Sequence, residues 1–418
     1  MPFHDSYRNY ILKSAMKAHR TIRYRLHSGT RTKARKLYGT AEACRFTWNH
    51  FVSKLRDDWR YCGRCDPRWY SNCTLFSVWR KHQEKWLQDY SFGIVRLALK
   101  PIETAYRQFW KGEGGLPRFK AQYDHVPSFP LGSGMFKLQG NYLHVQRIGQ
   151  LKLTGNNPYP HGIARSGTIK YECGKWYAYI VYEVEIAMEP ESINPVGIDR
   201  NVGQVARSDG VVHYTPDLTR LEARRRRYQR MMARRQRGNR KQGVEPSHRY
   251  LKAKNLHART QQKIVQARTD WCHQVSRKIA DDYTLVYMED LDTKAMTKSA
   301  KGTADNPGKN VQQKTGLNRE IRASGWHKLE QCLGYKSSVM KVNPAYTSQT
   351  CHACGHTDKH NRKTRAYHEC VACGYRDHAD VNAALNILAF GNGASGRGGG
   401  GATWPVKRQM DTPGPLWT

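Results

Sequence analysis

The spacing of apolar residues along the chain changes at about residues 30, 115 and 190, and each change marks a different kind of secondary structure. Residues 21–26 (TIRYRL) alternate between apolar and polar side chains, the period of a strand with one buried face. From 32 to 57 the period lengthens. Leu37, Ala41, Cys44 and Trp48 recur at helical spacing after a polar start at Thr32, which predicts an amphipathic helix. The stretch 74–110 also reads as mostly helical, with Phe76, Trp79 and Trp86 as large apolar side chains for a small helical core. LPRFKAQY, MFKLQGNYLHV, QLKLTG, GTIKYE and WYAYIVYEVEI are then short β-rich runs broken by Gly, Pro and Asn. They predict a small β-barrel or sandwich over about 117–187. If the strand at 21–26 joins it, the helices of 32–110 are an insertion into a β module.

After Pro195 the pattern resets. VGIDRNVGQVARSDGVVHYTP reads as two or three strands with tight turns, followed by a very basic helix over 220–241 and a second helix over 251–282. TLVYME (284–289) and VMKVNP (339–344) have the form of strands, 292–316 that of a polar loop, and 318–333 that of a helix. The last 28 residues, 391–418, are Gly-rich and expected to be disordered.

Charge narrows the function classes. The chain has 70 Lys plus Arg against 34 Asp plus Glu, a formal net charge of +36. A compact body with that charge repels itself unless a polyanion neutralises it, and nucleic acid is the expected partner. From Arg220 to Lys241 there are eleven Lys or Arg and one acid, Glu222, so the segment lacks the interleaved acids of a merely solvated helix and points to phosphate contact. Arg118, Phe119 and Lys120 form a basic-aromatic patch suited to backbone contact or base stacking, although Phe119 has an equal claim as barrel core. No apolar run of about 18 residues could span a bilayer, and the N-terminal segment lacks a signal-peptide pattern, so a cytoplasmic, nucleoid-associated protein is expected.

Three acids sit where strands end or a helix begins. Val196-Gly197-Ile198-Asp199 and Val286-Tyr287-Met288-Glu289 are apolar strands closing on a carboxylate, and Asp380 opens the amphipathic run VNAALNIL. Each alone could be a turn residue, a solvated strand end or a helix cap. Together they match phosphodiester hydrolysis, in which two divalent ions about 3.5–4 Å apart activate water and stabilise the leaving oxygen. Magnesium prefers such hard oxygen ligands. Asp290 and Asp377 are neighbouring acids that compete for the assignment.

Eleven cysteines, an odd number, argue against a disulfide framework. Cys351-x2-Cys354 and Cys370-x2-Cys373 stand fifteen residues apart, the spacing of a closed, structural four-cysteine zinc site, and Gly355 and Gly374 suit the turn after each pair. Cys62, Cys65 and Cys73 are a weaker trio that His50 or His82 could complete.

GIDRNVG, YMEDLD, NPAYTSQTCHACG and DHADVNAALNIL resemble the TnpB family, transposon-encoded relatives of type V CRISPR nucleases, as do CRFTWN (44–49) and GLPRFK (115–120). The resemblance implies an α+β multidomain fold. A wedge-like β-barrel (1–30 and 116–190) would carry a helical recognition lobe (31–115). A RuvC-like, RNase H-type nuclease (191–348 and 377–390) would carry a zinc ribbon (349–376). It also implies Mg2+ ligation by Asp199, Glu289 and Asp380, a bound guide RNA, and cleavage of double-stranded target DNA beside a short adjacent motif. A compact type V CRISPR effector, a nuclease-inactive RNA-guided repressor and a strand-exchanging transposase are the competing functions.

Overall fold

The alternation at 21–26 belongs to a longer strand, β1 (Met16–His27), which pairs antiparallel with β7 (Lys175–Ile186) from Met16 opposite Ile186 to Leu26 opposite Trp176. The computed structural model describes residues 16–393, except 64, 69–71, 83, 123–125, 187–193, 240–241 and 304–305. The chain divides into two compact units, Met1–Glu189 and Pro190–Thr418.

In the first unit, β2 (Ser128–Leu131), β3 (Phe136–Gln139), β4 (Tyr142–Val145), β5 (Gly149–Thr154) and β6 (Ile163–Glu172) join β1 and β7 in one antiparallel sheet of order β2-β6-β7-β1-β5-β4-β3. The sheet curls into a half-barrel with β2 and β3 as its edges. Its core holds Tyr24, Leu26, Phe129, Leu143, Leu151, Trp176 and Ile180.

Between β1 and β2 the described residues form four α-helices, α1 (Arg31–Cys62), α2 (Cys73–His82), α3 (Phe92–Leu97) and α4 (Lys100–Trp110), with a short 3-10 helix at Lys85–Asp89. Thr30 caps α1 by accepting from the Lys33 amide, and Gly63 ends it in a left-handed turn, φ 64°. Leu37, Ala41 and Cys44, from the first half of α1, pack on the sheet. Trp48, Phe51, Val52 and Leu55, from its second half, build the helical core with Phe76, Trp79 and Tyr106.

Two expectations fail here. Trp86 is 42% exposed and meets Phe46 edge-on at 5.2 Å instead of entering the core. The segment 116–121 forms no strand. It is strapped to α1: Trp48 Nε1 donates to the Arg118 carbonyl at 2.9 Å, Asn49 Nδ2 to the Lys120 carbonyl at 2.9 Å, and Asn49 Oδ1 accepts the Lys120 amide at 2.7 Å. With those backbone groups taken by side chains, a sheet ladder has nothing to bond. Phe119 is accordingly 50% exposed, not barrel core.

The second unit is built on a mixed sheet of order β10-β9-β8-β11-β12. β8 (Pro195–Asn201), β11 (Leu285–Glu289) and β12 (Ser338–Val342) are parallel, while β9 (Gln204–Arg207) and β10 (Val212–Tyr214) extend it antiparallel. The helices are α5 (Thr219–Ala233), α6 (His248–Asp282), α7 (Thr293–Met296), α8 (Val311–Ala323), α9 (Trp326–Gly334) and α10 (Ala379–Gly391), and β13 (Tyr367–Glu369) pairs with β14 (Arg376–His378). Strand alternation sorts the faces. Val196, Ile198, Val286 and Met288 pack with Cys272, Val275 and Ile279 of α6 and Leu329, Cys332 and Leu333 of α9. Gly197 lies against α10 on the opposite face.

The basic helix stops at Ala233, short of 241, and residues 394–418 of the expected tail lie outside the described residues. The helix predicted over 318–333 is two, α8 and α9, because Gly325 takes φ 73° between them; part of the expected loop 292–316 is helical in α7 and α8.

Candidate functional site

β8 and β11 pair in parallel up to Ile198 opposite Met288. The next residue on each strand is Asp199 or Glu289, so the register alone sets these acids level with each other just past the last β8–β11 pair, although β8 itself runs on to Asn201. Asp199 shares a face of the sheet with Gly197, and Glu289 with Tyr287, since side chains alternate. That is the face α10 covers. A Cβ on Gly197 would lie 2.1 Å from the Ala384 carbonyl and 2.7 Å from the Leu388 amide, so only glycine lets α10 lie this close. Asp380 is in the first turn of that helix, whose cap is His378, accepting the Asp380 amide at 3.3 Å. Asp199, Glu289 and Asp380 are 6%, 9% and 1% exposed.

Their electrostatics show convergence. Burial pushes the Asp199 carboxyl from its ordinary 3.8 up to about 8. The charges of Glu289 and Asp380 push it the same way, while Arg362 and the Asn201 amide pull it down. Burial also raises the Glu289 carboxyl, against the lowering effects of the Thr347 hydroxyl and the Arg200 charge. Three buried carboxylates that repel one another, with one neighbouring guanidinium on Asp380, make a hole for positive charge. Their all-oxygen donor set fits a hard divalent cation. Each acid is held: Asn201 Nδ2 donates to Asp199 at 2.6 Å, Thr347 Oγ1 to Glu289 at 2.5 Å, Arg362 Nη2 to Asp380 at 2.7 Å, and Gln204 Nε2 also to Asp380. Of the competing acids, Asp290 is exposed and Asp377 accepts from the Tyr375 hydroxyl at 2.9 Å.

Cys351, Cys354, Cys370 and Cys373 gather with their sulfurs all within 4.8 Å of one another. Tetrahedral zinc at 2.3 Å from each sulfur separates them by about 3.8 Å; the Cys351–Cys373 and Cys354–Cys370 distances are 3.8 and 3.6 Å. The two knuckles are alike. The Gly355 and Gly374 amides return to the carbonyls of Cys351 and Cys370 at 2.8 and 3.0 Å, with φ 76° and 71°. The four thiols fit a tetrahedral, thiophilic metal such as zinc.

The cysteine centre is tied to the acids through α10. Asn382 Oδ1 accepts the His352 amide at 2.9 Å and its Nδ2 donates to the Thr350 carbonyl at 2.8 Å; Asn386 Nδ2 donates to Thr347 and Thr350. Arg362, from the loop between the knuckles, supplies the cation on Asp380. Sequence reasoning singled out none of Asn201, Gln204, Thr347, Arg362, Asn382 and Asn386. The one available signal was polar residues at helix positions facing apolar neighbours in DVNAALNIL.

Of the candidate nucleic-acid contacts, Arg220, Arg224, Arg226, Arg227, Arg230, Arg234 and Arg237 are exposed, whereas Arg225 donates to Gln261 at 3.1 Å and Arg235 to the Arg249 carbonyl at 2.8 Å. Arg118 is exposed. Lys120 is not free for phosphate. Its Nζ lies 4.0 Å from the centre of the Trp48 ring, and burial lowers its pKa to about 8. Cys62 and Cys73 are exposed and, with Cys65, do not gather with His50 or His82 into a metal-binding set; His50 packs on Trp79 at 4.9 Å. No helix among the described residues is long and apolar enough to cross a membrane.

Two family models match: "Probable transposase" over residues 179–300 and "Cas12f1-like, TNB domain" over 326–387. The chain is 31% identical over 389 residues to the "Putative RNA-guided DNA endonuclease InsQ" of Escherichia coli K12, covering 90% of this chain and 93% of that protein. It is 25% identical to a "Putative RNA-guided DNA endonuclease" of Streptomyces pristinaespiralis, over 91% of each. It is 29% identical over 230 residues to the CRISPR-associated endodeoxyribonuclease Cas12f1 of Sulfoacidibacillus thermotolerans, 51% of this chain and 50% of that one. Among solved structures, Cas12f1 in its complex with sgRNA and target DNA has a similar fold, with a TM-score of 0.50 at 15% identity over 85% of this chain and 82% of that one.

Proposed function

The chain belongs to the TnpB-type family of RNA-guided DNA endonucleases, and from that premise we propose that it cuts double-stranded DNA at a metal-dependent site made of Asp199, Glu289 and Asp380, directed by a bound guide RNA. The observation that carries the site assignment is the meeting of three buried acids from two adjacent parallel strands and one helix start. The strand order supports an RNase H-type, RuvC-like reading of residues 191–348 and 377–390, with 349–376 as a zinc ribbon. The half-barrel of the first unit is then the wedge, and residues 31–115 its recognition insertion. Magnesium is the proposed ion, two per site, activating water and neutralising the leaving oxygen when bound. The three carboxylates supply hard oxygen donors from rigid mounts. Arg362 holds one oxygen of Asp380 and so would help to orient that carboxylate toward a bound ion. Gln204 fixes the second oxygen of Asp380.

The site of action is the nucleoid of a bacterial or archaeal cell, beside a short duplex motif read by the protein, with guide pairing reading the rest. The match to a Cas12f1-like domain favours a compact type V CRISPR effector as the second reading, but the full-length match to InsQ outweighs it. The test has two parts. Sequencing RNA from high-salt-washed protein should return one enriched species with defined ends, and Asp199→Ala should abolish magnesium-dependent plasmid cleavage while retaining that RNA. A random RNA mixture with cleavage indifferent to added RNA removes the guide. Wild-type cutting by Asp199→Ala removes the site.

A further inference from the structure

Arg200 follows Asp199, and strand alternation turns it to the opposite face of the sheet from the three acids. It is nevertheless 4% exposed, on the side that α9 covers. There its Nη1 donates to Glu330 of α9 at 2.9 Å, and Lys341 of β12 holds the other Glu330 oxygen at 2.7 Å. Its Nη2 does something different: it donates, at 2.5 Å, to the backbone carbonyl of Glu289. This is the point at which the β8–β11 ladder stops, after Ile198 opposite Met288. Past a ladder's last pair two parallel strands are held less tightly than within it. A guanidinium therefore grips β11 just past that last pair, and the carbonyl it holds belongs to a proposed metal ligand.

We infer that Arg200 is a positioning residue for divalent-metal binding. Anchored by Glu330, it clips the end of β11 to β8 and so sets the spacing between the Asp199 and Glu289 carboxylates. The inference rests on the carboxylate site proposed above. The grip acts through the backbone, so it occupies neither Glu289 carboxylate oxygen; on the other face Thr347 takes one of them. A buried ion pair kept only for stability is replaceable by apolar side chains of similar volume at little cost. A positioning clip is not, and groups that orient ligands typically change metal affinity by about 10- to 100-fold when removed.

The experiment measures Mn2+ binding by electron paramagnetic resonance on the full chain with its RNA complement. The site-specific signal is the part lost in Asp199→Ala, and melting temperature is followed in parallel. The double variant Arg200→Met with Glu330→Met is expected to melt close to wild type yet bind site-specific Mn2+ at least ten times more weakly. Arg200→Lys, which keeps a donor and a charge, should recover part of the loss. Glu330→Gln, which leaves Arg200 in place with a weaker anchor, should fall in between, and it serves if the double variant folds poorly. Wild-type Mn2+ affinity in the double variant, or in Glu330→Gln should the double not fold, overturns the positioning role. Absence of any Asp199-dependent Mn2+ signal in the wild type overturns the carboxylate site itself, and Arg200's role with it.

Discussion

Replacing Asp199 by Asn should stabilise the metal-free protein, although it destroys a proposed metal ligand. The Asp199 carboxyl ordinarily titrates near 3.8 and is pushed to about 8 in the fold. Between those values the native state holds a proton that the unfolded chain has released, so stability falls as pH rises through the window and levels off above about 8. At about 1.4 kcal/mol per unit, the full shift corresponds to roughly 6 kcal/mol above pH 8. Water entry and coupled protonation of Glu289 reduce this, and about 2–4 kcal/mol near pH 7.5 is a sound expectation. In a unit of this size that is about 5–15 °C in melting temperature. Asparagine keeps a carbonyl to accept from Asn201 and carries no charge. Thermal melts of wild type and Asp199→Asn in EDTA, from pH 5 to 9, should therefore diverge with rising pH, the variant melting higher. Added Mg2+ should shrink or invert the gap, because only the wild type then gains a ligand. Parallel curves in EDTA, or a variant less stable at pH 8, would refute the idea that buried mutual repulsion is stored at this site.

Gly197→Ala should lower stability by about 2–3 kcal/mol or more and abolish cleavage with RNA retention intact, since the new methyl meets the α10 backbone; melts and plasmid cleavage check this. Cys354→Ser should lose one zinc per chain by elemental analysis and destabilise the second unit by calorimetry. Thr347→Val removes the hydroxyl that lowers the Glu289 carboxyl, so cleavage should require more Mg2+ at pH 6.5 than the wild type does, with the difference narrowing as pH rises.

The acids were legible because each closes an apolar run or opens a helix whose pattern is itself unambiguous, although β8 continues two residues past Asp199; VGID and LVYME could be buried strands and little else. The cysteine centre was legible from spacing. What escaped has a common cause. Arg362 and Gln204 act on Asp380 from 18 and 176 residues away, and nothing local to either predicts the meeting. Arg200 reads as one more cation in a basic chain until alternation and the ladder's end are known. LPRFKAQY looked like a strand because its composition suits one, but Trp48 and Asn49 compete for its backbone. Gly325 breaks a helix that apolar periodicity carries straight through.

The half-barrel has a consequence for synthesis. Lys17 pairs with Glu185, so the first strand made waits for the last one before its longest ladder can form. At about 5–20 residues per second that interval is roughly 8–35 s. The helices between them need only local contacts and can form while the chain is still emerging. Through that interval Ile22, Tyr24 and Leu26 lack the β7 side of their sheet, and β1 is an open edge able to recruit another nascent chain. Slowing elongation within residues 30–175 should therefore lengthen exposure of this edge and lower the soluble yield, whereas slowing after residue 190 should not.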